Sequence, residues 1–427
     1  MKIPLGLPVP TQAWQAQSAT LCQLINDEIR HAPSASISFA RFMELALYEP
    51  KLGYYTAALD KFGKMGDFTT APEISPLFAR CIGRQCQQVL ASLGQADILE
   101  IGAGTGQLAL DLLLFLEQEQ SLPCTYKILE MSPTLRKRQQ ERLQQHIPHL
   151  FSLVEWLDEW PVVPIKGVIL ANEVVDALPV HQYLWTEDCI QEVRIAYESD
   201  QFIYHLAPVD DLLISQLTQL QANYFPEIKT YQSEMCRRLP DWVDKLSGTL
   251  EQGLVLIIDY GFPAQEYYHP DRVNGTLLCY YQHHAHVDPL SLVGLQDITA
   301  SVNFSSLAQA AVQSGLKVAG FTSQAAFLLN NDLLPLIEKC YDEISSMDVN
   351  RQVHLLTSPS EMGELIKVMG LTRNSGLASV KTATDRIMAK SGSPAFREAH
   401  DLLGAMSENV ETSAWALTPT RTQNFGR

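Results

Sequence analysis

The chain has 427 residues, 46% of them hydrophobic and 19% charged, which is enough apolar material for a large core and the wrong balance for a disordered chain. A formal net charge of −17 works against a nucleic-acid backbone or an anionic membrane surface as partner, because both are bound through Lys and Arg. No apolar run approaches the ~20 residues of a membrane span, and none of the eight cysteines forms a C-x-x-C pair, so reduced thiols and a cytoplasmic location are expected.

In chain order, residues 1–75 read as an N-terminal region with one helix, "WQAQSATLCQLINDEIRHA", and a polar loop, "GDFTTAPEIS". That loop is either a capped connection, with Asp67 in an Asx-type turn, or a lid beside a site. A helix is expected from Pro76, since proline suits the first turn. Strand and helix then alternate. "ADILEIG" reads as a strand and "GQLALDLLLFLEQ" as an amphipathic helix. "TYKILEMS" is again a strand, and the next helix is capped by Ser132 with Pro133 in its first turn. "KGVILANEVVDALP" holds a strand ending near Asn172, and "QGLVLIIDYGF" is an apolar run ending in Asp259. Such runs are buried parallel strands, and the alternation predicts a mostly parallel α/β sheet with helices on both faces. The segment about 181–250 reads as an insertion, a hairpin over Glu192 to Leu206 followed by helices. The core unit is placed at 76–375, and residues 376–427 read as a tail.

The stretch Glu100-Ile101-Gly102-Ala103-Gly104-Thr105-Gly106 follows a strand and opens a helix. A dinucleotide site would want a glycine at position 107, where Gln107 stands, and no Gly-Lys-Ser/Thr closes a phosphate loop. An acidic residue two before the first glycine, with glycines at i, i+2 and i+4, resembles the first motif of class I S-adenosylmethionine-dependent methyltransferases. The chemistry agrees. Bare backbone at Gly102, Gly104 and Gly106 can pass beside the methionine tail of that cofactor, and Glu100 suits its positive charge. Glu130, at the end of the next strand, can accept hydrogen bonds from ribose hydroxyls. Asn172 closes the fourth strand, where the transferable methyl is expected, so it joins the cofactor residues. No Asn/Asp-Pro-Pro-aromatic motif stands there, which disfavours a nucleic-acid base as acceptor. Glu173 and Asp176 could instead hold a guanidinium and take its proton. Equally, Glu173 could brace the loop and Asp176 cap the next turn. The histidines at 283, 284 and 286 have poor ligand spacing, and no metal is expected.

The blocks "ALYEPKLGYY", "GDFTTAPEISPLF", "EIGAGTGQLALDLL", "NEVVDALPV", "GLQDITASVNF" and "EMGELIKVMGL" occur in this order. Together they resemble the MidA-like family of S-adenosylmethionine-dependent methyltransferases, over roughly residues 35–370. The family includes the mitochondrial complex I assembly factor that methylates an arginine. The resemblance implies a Rossmann-like class I methyltransferase fold with an N-terminal helical cap and an inserted subdomain. It also implies S-adenosylmethionine as cofactor and a protein substrate with arginine as the favoured acceptor. It favours the loop at Asp67 and Thr69 as a substrate wall, and a homodimer is carried as an open expectation. Ser301 and Asn303 stand where the family commonly has a histidine and a carboxylate. That departure keeps a second reading alive, an assembly protein that binds the cofactor without catalysis.

Overall fold

The computed structural model describes residues 3–4, 6–57, 70–340 and 346–374. Its strands are β1 (Ile37–Ser38), β2 (Asp97–Ile101), β3 (Tyr126–Leu129), β4 (Val154–Leu157), β5 (Ile165–Asn172), β6 (His181–Trp185), β7 (Ile190–Glu198), β8 (Gln201–Pro208) and β9 (Tyr231–Met235). They continue with β10 (Leu250–Phe262), β11 (Leu278–Tyr281), β12 (His284–His286), β13 (Asp297–Thr299), β14 (Val302–Asn303), β15 (Lys317–Ser323) and β16 (Ile366–Arg373). The helices that matter for the site are α1 (Gln12–His31), α2 (Phe39–Tyr48), α3 (Ala71–Ile74), α4 (Pro76–Leu93), α5 (Gln107–Gln118), α6 (Pro133–His146), α7 (Asp211–Tyr224) and α8 (Leu239–Thr249).

The central sheet runs β15-β16-β10-β5-β2-β3-β4, with β14 paired to the end of β10. From β4 to β10 all neighbours are parallel, and β16 runs antiparallel to both β10 and β15. The apolar strands have a direct cause, because both faces of the sheet are covered. Alternate residues point to opposite sides. Ile98, Leu254, Leu256 and Val368 enter one core with α4 and α5, while Leu99, Val255, Ile257 and Met369 enter a second with α8. Local sequence sets the helix starts as expected. Ser75 accepts from the Leu77 N–H before Pro76, and Ser132 accepts from the Leu135 N–H around Pro133.

The chain leaves β2 in one direction, through β3 and β4, and returns to place β5 on the other side of β2. This is the doubly wound switch point, where a crevice opens beyond the carboxyl ends of the strands. Between β5 and β10 the chain builds a second, antiparallel sheet, β6 to β9 with β1. The expected hairpin is β7 and β8, turned through Ser199 and Asp200, both at positive φ as a two-residue primed turn requires. Among the histidines set aside above, His283 sits in the turn between β11 and β12 and His284 opens β12, paired with Tyr281. Leu21, Ile25, Phe42 and Met43 of α1 and α2 share a core with Ile195 of β7 and Ile298 of β13. The N-terminal helices and the insertion therefore form one roof over the crevice.

Candidate active site

A cavity of about 650 Å³ lies under that roof. Its floor is the turn after β2, from Glu100 through Gly102, Ala103, Gly104 and Thr105 to Gln107. Glu130 and Met131 after β3, and Asn172 to Val174 after β5, continue it. The roof contributes Tyr48, Tyr55 and Thr56, and α8 with its leading residue contributes Arg238, Trp242 and Lys245.

The glycine turn follows from its backbone angles. Gly102, Gly104 and Gly106 have φ of +66°, +54° and +81°, values that other residues adopt only at a cost. A Cβ on Gly104 would meet no protein atom within 4 Å, so this position faces open space. Gly106 differs from its expected role. It does not line the cavity and instead packs against Gln139, whose Cγ a Cβ would meet at 3.2 Å. Gln139 is fully buried on a helix that is polar apart from Pro133, Leu135 and Leu143, and the sequence reading missed it. Its amide donates to the Gly104 carbonyl and to Glu130 Oε2, both at 2.9 Å, and its oxygen accepts from the Trp156 indole. One side chain thus ties the glycine turn to the acid on the next strand. Glu73, also missed, lines the cavity from α3 and accepts from Thr105 and Arg142.

The loop after β5 has no glycine. Glu173 takes φ of +52°, and its N–H donates to the Ile258 carbonyl at 2.8 Å. Asp259, fully buried, holds this loop. Its Oδ2 accepts the N–H groups of Val174, Val175 and Asp176 at 3.1, 2.8 and 3.3 Å, and its Oδ1 that of Tyr260. Asp176, expected beside Glu173 in the site, is buried in the wall and does not line the cavity. The reason is that the brace turns the chain inward after Val174. Asp176 sits among Asp259, Asp297 and Glu173, and burial with these like charges pushes its carboxyl well above the usual range. Burial, with Asp259 nearby, raises Glu173 to about 8, and burial raises Glu100 to about 7 against a hydrogen bond from Tyr126. Glu130 is also raised by burial. Asp67 and Thr69 lie outside the described residues. Ser301 and Asn303 do not line the cavity, and Asn303 accepts from the Ser306 N–H as a helix cap.

The chamber fits S-adenosylmethionine by its donor set. Glu130 accepts from the Ser132 N–H at one oxygen and from the Gln139 amide at the other, both 2.9 Å, which orients the carboxylate with acceptor capacity for two neighbouring hydroxyls. The Asn172 oxygen is buried without a partner among the described residues, an acceptor waiting for a donor such as an ammonium. Gly104 leaves the space that a ligand's methionine end would take, and the raised carboxylates welcome a cation.

Comparison with known proteins agrees. The model of a family described as "Putative S-adenosyl-L-methionine-dependent methyltransferase" matches residues 81–322, more than half of the chain. A Burkholderia thailandensis protein solved with S-adenosyl-homocysteine bound is similar in structure, with TM-score 0.81 and 37% identity over 86% of this chain and 95% of that one. A zebrafish protein arginine methyltransferase, NDUFAF7, is 26% identical over 87% of this chain and 92% of its own length. The fruit-fly homologue is 28% identical over 78% and 81%. Both curated relatives are named as mitochondrial, which overturns the expected cytoplasmic location; the reducing character read from scattered cysteines does not separate the two compartments. S-adenosylmethionine is the cofactor, and the chain belongs to the MidA-like family of S-adenosylmethionine-dependent methyltransferases.

Proposed function

We propose that the chain methylates the guanidinium of an arginine in a protein substrate, with Glu173 as the residue that receives its proton. The single observation behind this is Glu173 itself, a carboxylate in a left-handed backbone conformation at the cavity wall, raised by burial to about 8. Strain of this kind persists where surrounding structure over-determines it, and functional sites are where it collects. An arginine guanidinium has a pKa of ~12.5–13.8, so a nitrogen must lose a proton as it becomes a nucleophile. A base poised near neutrality beside it accepts that proton. The relatives named as protein arginine methyltransferases support the same acceptor. The family resemblance adds respiratory complex assembly as the context we adopt.

When bound, the cofactor supplies an electrophilic methyl on a sulfonium. The backbone of Gly102 and Gly104 with Asn172 would hold its methionine end, Glu130 its ribose, and Glu100 would face positive charge. Gly106 and Gln139 keep the turn in register with Glu130. Asp176 acts behind Glu173, as part of the buried acidic wall. Asp67 and Thr69 remain assigned to substrate, because Thr70, Pro72 and Glu73, which follow directly, line the cavity.

The test uses labelled methyl donor and a protein extract. Wild type should label a band that releases methylarginine on hydrolysis. Glu173→Gln should bind S-adenosylhomocysteine normally and, at saturating methyl donor, label at least ~100-fold more slowly, as expected for loss of a general base. Label recovered on another residue type refutes the arginine acceptor. An undiminished rate removes Glu173 from the chemistry.

A further inference from the structure

Gln107 stands where a dinucleotide fold would have glycine, and the structure gives it a partner on another helix. Its amide donates to Asp111 Oδ2 at 2.8 Å, and its oxygen faces α6. There Arg142 Nη1 donates to Gln107 Oε1 at 2.6 Å and reaches Thr105 Oγ1 at 3.1 Å and Glu73 Oε1 at 3.3 Å. Thr105 in turn donates to the same Glu73 oxygen. Four side chains, from α3, the glycine turn, α5 and α6, thus close on one another, and Glu73 is the member that belongs to α3.

Helix α3 needs such a tie. It is a single turn of four residues, too short to hold itself in water, and Thr70 before it makes no side-chain cap hydrogen bond. Its apolar anchors are Ala71, fully buried but small, and the partly buried Ile74. Apolar contact is non-directional, whereas hydrogen bonds have a preferred geometry. Yet α3 lines the cavity through Thr70, Pro72 and Glu73, and its Ala71 N–H works against the burial that raises Glu173. The helix therefore spans from the glycine turn to the loop after β5.

From this geometry we infer that Glu73 is a positioning residue for methyl transfer: through Thr105 and Arg142 it clasps α3 to the glycine turn and so keeps one wall of the cavity in register with Glu173. The inference rests on this cavity being the transfer site and not on arginine as the acceptor.

The experiment compares Glu73→Ala, Glu73→Gln and Arg142→Met in the full chain. It reads amide exchange over residues 71–79 by mass spectrometry, S-adenosylhomocysteine affinity by calorimetry, and the rate of labelling of a protein extract at saturating methyl donor. Glu73→Ala should exchange at least ~10-fold faster in α3 and label at least ~10-fold more slowly, because a displaced wall misaligns the reacting groups. Arg142→Met should shift both in the same direction, although Arg142 does not line the cavity. Glu73→Gln keeps an oxygen that accepts from both partners, so it should restore most of each value. Glu73→Ala combined with Arg142→Met should label no more slowly than Glu73→Ala alone. In every variant S-adenosylhomocysteine affinity should change less than the labelling rate. A Glu73 that gripped the cofactor's ammonium directly would lose that affinity in Glu73→Gln and keep it in Arg142→Met, and this pattern overturns the proposal. Exchange or labelling at the wild-type rate in Glu73→Ala overturns it too. Label found on another residue type removes the arginine acceptor and leaves these comparisons intact. An extract that wild type does not label removes the arginine reading, and the exchange rates alone then decide whether α3 is clasped.

Discussion

Two loops meet at the floor of the cavity, one after β2 and one after β5, and they solve the same problem differently. Each must turn the chain sharply and present backbone to a ligand. The first uses Gly102, Gly104 and Gly106, whose positive φ values carry little cost, and its bonds are close at hand: the Gly106 N–H reaches the Ala103 carbonyl and the Gly102 N–H the end of β3. The second puts a glutamate at positive φ and relies on the rest of the fold. Asp259 from β10 binds three of its N–H groups, Tyr48 from α2 holds the Ala177 carbonyl, and the Ala300 N–H holds that of Asp176. A glycine turn leaves space for a cofactor. A braced turn places an ionisable side chain where glycine could not.

If that contrast is right, the braced loop should fail most severely when its brace goes. Asp259→Ala strands the N–H groups of Val174, Val175, Asp176 and Tyr260. Buried donors left without partners cost ~1–3 kcal/mol each, softened where water enters, so a loss of about 4 kcal/mol is expected. Denaturant unfolding measures it, and a loss below about 1 kcal/mol would mean that the loop holds itself. The glycine loop should break in the opposite way. Gly104→Val meets no protein atom at its Cβ, so the fold should lose only the ~1–2 kcal/mol of left-handed strain. Cofactor affinity should drop at least ~100-fold, because the side chain takes the ligand's space; calorimetry with S-adenosylhomocysteine checks both halves of the claim. A third change sharpens the comparison by making the second loop resemble the first. Glu173→Gly should remove strain and a buried carboxyl, raising stability by up to about 1 kcal/mol after the entropy of glycine is subtracted, while transfer is lost. A destabilised variant would show that Glu173 braces the loop instead of straining it.

The same contrast explains what could be read from the chain. The glycine turn, the caps at Ser75 and Ser132, the apolar strands and the hairpin are each written in a few adjacent residues, and each was legible. Glu130 was placed by its distance along one βαβ unit. The braced loop was not legible in this way. Asp259 read as an acid at a strand end, because nothing local tells that it crosses to a loop more than eighty residues earlier. Gln139 hid in a helix of charged and polar residues, since periodicity reports apolar burial and is silent on a buried amide. Asp176 was paired with Glu173 by spacing alone, and the inward turn after Val174 buries Asp176 in the wall while Glu173 lines the cavity. The resemblance of whole blocks named the family, but bonds such as that from Tyr55 to Asp297 join separate blocks and need coordinates.

The smallest effect expected is a pH dependence, and it tests whether the braced loop and the glycine loop share one electrostatic field. Glu173 and Glu100 are both raised above the ordinary 4.5, to about 8 and about 7, chiefly by burial. A carboxyl whose folded pKa lies above its unfolded value binds its proton more tightly in the folded protein. Its contribution to stability is then complete below about 4.5 and is lost as pH rises through 7 and 8. The ligand-free protein should therefore melt progressively lower from pH 6 to pH 8.5. A cation in the cavity offsets that loss, since it faces carboxylates that have become charged. S-adenosylmethionine carries a sulfonium that S-adenosylhomocysteine lacks. The gap between the melting-temperature shifts caused by the two ligands should consequently widen as pH rises, and Glu173→Gln should narrow it at pH 8.5. A gap that stays flat across this range would mean that the sulfonium does not face these acids, and the two loops would then be neighbours without a common charge to hold.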